Sequence, residues 1–198
     1  MKVAFIQFRR HRFSLLAVLT ALVLCVSLLT RVALLIQSHR EFDFTIMNTV
    51  GVFGLGLFFD LVNASYFILP LLFYLWLLPE KLFQKKWHRF VLYGFFLVFI
   101  FLLLFDAIGE WFFWDEFNTR FNFIAVDYLV YTTEVIGNIR QSYPVEWIMT
   151  GLGLLSIAGV YILRDVIKLR SNYSMRFKDR TIWFFGFGSI SLFSFFFV

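Results

Sequence analysis

Four ionisable side chains lie inside long apolar runs of the sequence, where a charge has few ways to be satisfied. Arg31 interrupts the run from 13 to 36, Asp60 lies within LFFDLVNASY, and Asp106 and Glu110 end a long run of phenylalanine and leucine. Such groups are costly in apolar surroundings, and they usually pair with one another or line a polar path. Their chemistry is therefore mutual ion pairing or contact with a polar ligand, depending on how the chain brings them together.

The composition indicates that these apolar runs face lipid. Hydrophobic residues make up 61% of the 198 residues and charged residues only 16%, so the apolar surface exceeds what one soluble core can bury. The single cysteine, Cys25, excludes a disulfide within the chain and a cysteine-based metal site. We predict one transmembrane domain, residues 1–198, of the all-α integral membrane class.

Lysine and arginine are concentrated in three short stretches, which predicts an orientation. Fourteen of the eighteen lie in residues 1–12, 80–89 and 164–180, whereas ten of the thirteen acids lie elsewhere. Short basic loops stay on the cytoplasmic side during insertion, so the N-terminus is expected inside and the C-terminus outside. The basic residues flank apolar spans and form no continuous basic face. This favours membrane phospholipids, and not nucleic acid, as their partner.

Five transmembrane helices account for the apolar runs. They cover about residues 13–36, 58–78, 90–113, 145–163 and 181–198. The region from 44 to 79 is ambiguous, because a single helix of that length would measure about 54 Å against a hydrocarbon core of about 30 Å. We therefore expect the Gly-rich segment before Phe58 to lie in, or dip into, the outer interface as irregular backbone covered by protein.

The charges within the predicted spans reach one depth. Arg31, Asp60 and Asp106 each lie about 24 to 27 Å from the inner end of their span. Glu110 follows Asp106 by one turn on the same face, and Asn63 lies one turn from Asp60. In one interpretation they line a polar pocket that opens to the outer leaflet and contacts a lipid headgroup. In the other, Arg31 pairs with Asp60 or Asp106 to fix helix packing, or the side chains reach the nearby interface.

The segment between the third and fourth spans is the most distinctive in the chain. It reads EFNTRFNFIAVDYLVYTTEVIGNIRQSYP, from Glu116 to Pro144. Asn118 is a suitable N-cap, and the residues after it can form an amphipathic helix. We predict that this helix lies on the outer membrane surface, with Arg120 among the residues that face lipid headgroups. A lid over a lipid pocket and a plain connecting loop are the alternatives.

The sequence contains no motif for catalysis or metal binding. His11, His39 and His88 have no second ligand at metal-binding spacing, and HExxH, GxSxG and P-loop patterns are missing. We therefore assign no catalytic residue, metal ligand or cofactor to this chain. The last predicted span ends SLFSFFFV, with no polar anchor. From this we expect a further domain to follow outside the cell.

The order of these features resembles the membrane domain of the lipoteichoic acid synthase and phosphoglycerol transferase family. Two stretches carry the resemblance: GLGLFFDLVNASYFILP at 54–70 and, more specifically, the segment from 116 to 144. The resemblance implies a sulfatase-like domain of the alkaline phosphatase superfamily after the fifth span. There a threonine and a divalent metal, usually manganese, would move phosphoglycerol from phosphatidylglycerol.

For these 198 residues, the resemblance implies an anchor in the bacterial inner membrane that also helps to present a lipid headgroup to chemistry above it. Two other functions remain open on the sequence. A small transporter or flippase subunit would use the buried charges as a pathway. A bare anchor or assembly partner would use them only for packing.

Overall fold

The regular secondary structure of the described chain is entirely helical. The computed structural model describes residues 11–39, 44–122, 126, 137, 139–170 and 175–197. Its main helices are α1 (Ser14–Gln37), α2 (Ile46–Phe67), α3 (Leu69–Leu77), α4 (Glu80–Phe83), α5 (Lys86–Phe117), α6 (Val145–Arg170) and α7 (Phe177–Phe197).

Four helical stretches among the described residues are long and apolar enough to cross a membrane. They are Ser14–Gln37, Ile46–Leu77, Lys86–Phe117 and Val145–Lys168. The all-helical, membrane-embedded class predicted from the sequence is therefore supported. The region of the fifth predicted span forms α7, which has 21 residues but is not among the four. The helix begins at Phe177. The charged residues Lys178, Asp179 and Arg180 in its first turn, and the glycines and serines that follow, make it less apolar than the four.

The Gly-rich segment before Phe58 is helical, where irregular backbone was expected. Helix α2 begins at Ile46, and α3 continues its course after a break at Ile68. Pro70, in the first turn of α3, has no N–H to donate, which interrupts the ladder of hydrogen bonds at the break. Together the two helices measure about 48 Å, longer than the hydrocarbon core of about 30 Å. Packing of α2 along α1 outweighs the cost of its glycines.

The helices form an up-and-down bundle. Helix α5 packs most extensively on α6, α1 packs on α2 and α5, and α7 packs on α3 and α2. At one end, hereafter the basic end, α1, α5 and α7 begin while α3 and α6 finish. At the other, the distal end, Gln37 donates to Asp115 at 3.1 Å and Trp114 donates to Ser38 at 3.0 Å. The bundle thus gathers the described parts of the three basic segments at one end.

The hydrophobic core lies toward the basic end. Its fully buried members, with no exposed surface, are Phe13, Leu15, Leu16, Leu19, Leu71, Leu72, Leu75, Leu92, Phe96 and Ile167. Elsewhere large apolar side chains such as Phe90, Trp147 and Phe196 are exposed on the outside of the bundle. An apolar exterior of this extent is what a lipid environment requires.

Two arginines from opposite ends of the chain cap the C-terminus of α3 by donating hydrogen bonds to its free carbonyl groups. Pro79 disfavours helical geometry at Leu78, so the last carbonyls of α3 have no donor within the helix. Arg12 donates to Leu75 O at 2.9 Å and to Leu78 O at 3.4 Å, and Arg180 donates to Leu78 O at 2.5 Å. The two guanidinium groups also complement the negative end of the helix dipole.

Candidate functional site

Arg31 and Asp60 form a buried ion pair between α1 and α2. Nη2 of Arg31 lies 2.7 Å from Oδ2 of Asp60, and the two side chains are 6% and 10% exposed. Ser27, one turn before Arg31 on the same face of α1, donates to Oδ1 of Asp60 at 2.5 Å. Of the two partners that the sequence offered Arg31, the structure places Asp60 against it. Both charges are thereby compensated inside the bundle.

Gly56 makes the space that this ion pair occupies. It lies one turn before Asp60 in α2, and a β-carbon built on it would collide with the Arg31 guanidinium. At Gly51 and Gly54 a β-carbon would meet open space. Of the three glycines in the segment, Gly56 therefore has the packing role, which is to permit close approach of a side chain to the helix backbone.

A second ion pair joins α5 to the chain that follows it. Arg120 engages both carboxylate oxygens of Glu110, with Nε toward Oε1 and Nη2 at 3.1 Å from Oε2. This two-pronged arrangement is the strong form of an arginine–carboxylate contact. Glu110 is 9% exposed and the Arg120 side chain 45%. The hydrogen bond to Glu110 raises the pKa of Arg120, so the guanidinium stays protonated. Its partial exposure leaves one side of the group accessible.

Asn118 positions this second pair, in a role that the sequence pattern did not predict. It was expected to begin the next helix as an N-cap, but it ends α5 as a C-cap in the left-handed region, with φ 51° and ψ 30°. Asparagine tolerates this conformation better than most residues. The turn reverses the chain and brings Arg120 back to Glu110.

Asp106 and Asn63 stand outside the direct contacts. The charges of Glu110 and Arg120 both act on Asp106, and those of Asp60 and Asp106 act on Arg120. Asp106 itself is exposed and accepts no hydrogen bond from the described residues. Asn63 is also exposed. It lies outside the cluster because the buried face of α2 carries Asp60 and Ala64, and Asn63 is on a different face.

Five of the six predicted site residues therefore form one distal cluster, defined as Arg31, Asp60, Asp106, Glu110 and Arg120. Its formal charge is −1, from two arginines and three carboxylates. The pair of Arg31 and Asp60 is buried, so the accessible polar groups of the cluster are the outer side of Arg120 and the carboxylate of Asp106.

Two contributors to the cluster were missed from the sequence, although a signal was present. Ser27 precedes Arg31 by four residues, and Gly56 precedes Asp60 by four. At that spacing each lies on the same helix face as the charge it serves. The remaining part of the predicted interfacial helix, residues 123–125, 127–136 and 138, falls outside the described chain.

The distal cluster presents two accessible polar groups. Within the described ranges no group of three histidine, cysteine or acidic side chains is placed to hold a metal ion. What the cluster offers is one half-exposed guanidinium and one carboxylate. A scan against models of protein families, a search of curated proteins and a search of solved structures found no match to this chain.

Proposed function

We propose that this chain is a five-span domain of the bacterial inner membrane, N-terminus inside and C-terminus outside. We further propose that its distal cluster holds a phospholipid headgroup for an enzyme of the phosphoglycerol transferase type. The observation that carries the proposal is the pairing of Arg120 with Glu110. It holds a half-exposed guanidinium beside a carboxylate, Asp106, that has no hydrogen-bond donor among the described residues.

The headgroup chemistry follows from these two groups. A phosphodiester accepts hydrogen bonds from a guanidinium, whereas the Asp106 carboxylate can only accept them. Because the cluster carries a formal charge of −1, a purely anionic ligand is disfavoured. A headgroup that has hydroxyl donors beyond its phosphate satisfies both groups. Phosphatidylglycerol has this combination and is the donor that the resemblance implies.

Contacts of α7 support its place as a fifth span. Ser191 donates to the Ser65 carbonyl at 2.7 Å, and Ser194 donates to the Tyr66 hydroxyl at 3.2 Å. Small polar residues of this kind join helices that pack within a membrane. Helix α7 runs from Arg180 at the basic end to Ser194 beside the last turn of α2, so it packs along the whole length of α3.

The catalytic step is assigned, by the resemblance alone, to a sulfatase-like domain outside the membrane. The threonine and manganese of that domain have no counterpart among the described residues. The partners proposed for this chain are accordingly its own extracytoplasmic domain and membrane phospholipids.

A transporter or flippase is the second candidate, and the basic end argues against it. A pathway needs polar access from both sides of the membrane. Below the distal cluster, Leu16, Leu72 and Phe96 are fully buried in a continuous apolar core. The burial of the Arg31–Asp60 pair supports a packing role for those two residues, which leaves Arg120 and Asp106 as the ligand contacts.

Neutralising Asp106 or Arg120 is expected to weaken retention of phosphatidylglycerol by roughly tenfold. Loss of one charge-assisted hydrogen bond costs about 1.5 kcal/mol or more. The measurement is native mass spectrometry of the detergent-purified chain with dioleoyl phosphatidylglycerol. Asp106→Asn is the cleaner variant because it breaks no ion pair. Arg140→Gln, which removes an exposed arginine of the same segment, is the matched control. Unchanged retention in Asp106→Asn, or an equal loss in the control, would remove the headgroup role.

Cysteine labelling in intact cells tests the orientation and the span count. In a Cys25→Ser background, an impermeant maleimide is expected to label Ser142→Cys without permeabilisation and Gln84→Cys only after it. Both positions are exposed. If α7 crosses the membrane, a cysteine on a short Gly-Ser linker added after Val198 should label like Ser142→Cys. Labelling of Gln84→Cys from outside would reverse the orientation. Labelling of the added cysteine only after permeabilisation would reduce the count to four.

A further inference from the structure

A basic pocket lies between α5 and α6 at the basic end of the bundle, far from the distal cluster. Its volume is about 600 Å³, within the range of small-ligand sites. The two helices that form it are the pair that packs most extensively. The pocket is thus a feature of a well-packed interface and does not depend on a loop.

The charge of this pocket is concentrated and arranged by helix. Lys86 and Arg89 enter it from α5, and Arg164 and Lys168 from α6. Asp165 is the acid among the lining residues, which leaves a net formal charge of +3. Each helix supplies two cations, at spacings of three and four residues, so that each pair lies on one face. The pocket therefore presents two cationic pairs facing each other across a helix interface.

Fixed contacts hold part of the pocket in place. The Arg164 guanidinium lies 4.0 Å from the centre of the Tyr161 ring and 3.8 Å from Asp165. Tyr93, in the wall of the pocket, donates to the Arg164 carbonyl at 3.5 Å. The Arg164 side chain is 50% exposed, so it is oriented by its neighbours and still accessible to a ligand.

The apolar wall identifies the kind of anion. Phe90 lines the pocket and is 74% exposed on the outer surface of α5, at the start of a stretch apolar enough to cross a membrane. A soluble anion makes no contact that requires an apolar wall. A lipid does, because its acyl chains continue from the headgroup along the apolar helix surface. Basic pockets between transmembrane helices at the membrane interface are suited to multiply charged lipid headgroups.

We propose that this pocket binds a phospholipid with two phosphodiester groups, of the diphosphatidylglycerol class, with one phosphate on the cationic pair of each helix. The two sites of the molecule then differ in ligand chemistry. The distal cluster takes a headgroup with hydroxyl donors, and the basic pocket takes two phosphates. The proposal depends on neither the span count nor the orientation.

The test compares lipids on the purified full chain by native mass spectrometry. Tetraoleoyl diphosphatidylglycerol is expected to bind more tightly than dioleoyl phosphatidylglycerol or dioleoyl phosphatidylethanolamine. Replacing Lys86 and Arg164 together with glutamine should weaken binding of the two-phosphate lipid about 25-fold, from about fivefold for each charge. Exchanging the two by Lys86→Arg with Arg164→Lys keeps the charge and should keep most of the binding.

The matched control is Lys81→Gln with Lys178→Gln, which removes two exposed charges at the same end that do not line the pocket. An equal weakening in this control would reduce the effect to general surface charge and overturn the proposal. It is equally overturned if inorganic pyrophosphate competes as well as the lipid, or if the one-phosphate lipid binds as tightly. The distal proposal is judged separately, with phosphatidylglycerol and Asp106→Asn.

Discussion

Asp60→Ala is expected to lower the free energy of unfolding by about 3–5 kcal/mol, because it leaves the Arg31 guanidinium buried without its counter-charge. The pair is enclosed, with both side chains at or below 10% exposure, so solvent cannot replace the lost carboxylate. The Ser27 hydroxyl loses its acceptor in the same step. Denaturant unfolding of the detergent-purified chain, followed by circular dichroism, measures the loss.

The double variant Arg31→Met with Asp60→Leu is the decisive comparison. Removing both charges together, with apolar groups of similar volume, is often neutral or stabilising. We therefore expect the double variant to recover most of the stability that Asp60→Ala loses. If the double variant is as unstable as the single one, lost shape and not lost charge is responsible. Wild-type stability in Asp60→Ala would contradict a buried pair altogether.

Gly56→Ala provides a test of the same pair from the other side. The added methyl group displaces the guanidinium without removing any charge, and overpacking of this kind costs about 1–3 kcal/mol. Gly54→Ala, in open space on the same helix, is its control and is expected to be neutral or slightly stabilising. A difference between the two glycines would locate the strain at Arg31.

Depth along a helix could be predicted from the sequence, whereas rotation about its axis could not. A constant rise of 1.5 Å per residue placed Arg31, Asp60 and Asp106 at one level. It gave no means of choosing between the two acids, because that choice depends on which face of α2 or α5 points at α1. Ser27 and Gly56 contact the ion pair in which Asp60 is the partner of Arg31. Ser27 precedes Arg31 by four residues and Gly56 precedes Asp60 by four, so each lies on the same helix face as its charge.

Local propensity gave a wrong prediction in two places where contacts with neighbouring segments determine the backbone conformation. The glycines at 51, 54 and 56 suggested irregular backbone, yet α2 packs along α1 and remains helical. Asn118 suggested a helix start, since asparagine is a good N-cap, but asparagine also tolerates the left-handed region that ends α5. The ion pair between Glu110 and Arg120, ten residues apart, exists only because of the second choice.

The basic end shows the same limit of sequence reasoning. Its charges were interpreted as contacts with lipid headgroups, and for exposed residues such as Lys85 that interpretation stands as a prediction. His88, however, is 1% exposed and hydrogen-bonded to the Tyr74 hydroxyl at 2.8 Å. Arg12 has no exposed surface at all. A count of charges predicts the side of the membrane on which a segment lies, but it does not distinguish a residue that meets lipid from one that the protein encloses.

Arg12→Ala is expected to destabilise the fold by about 4 kcal/mol. The substitution removes hydrogen bonds to Leu75 O and Leu78 O, and bonds from a charged donor contribute about 1.5–3 kcal/mol each. It also removes a guanidinium that lies 3.7 Å from the centre of the Phe83 ring and 3.7 Å from Glu80. Burial lowers the pKa of Arg12 to about 10, so the group is still charged at pH 7.

Lysine at this position separates geometry from charge. Arg12→Lys keeps the positive charge at the end of α3, but a single ammonium cannot reproduce the planar fork that reaches two carbonyls. We expect it to recover less than half of the loss in the free energy of unfolding. Arg176→Ala, which removes an exposed arginine from the same end, should change stability by no more than about 0.5 kcal/mol. Because Arg180 also donates to Leu78 O, full stability in Arg12→Ala would mean that one arginine suffices to close α3. Full recovery by lysine would instead mean that the positive charge at the end of α3, and not the two directed hydrogen bonds, accounts for the stabilising effect of Arg12.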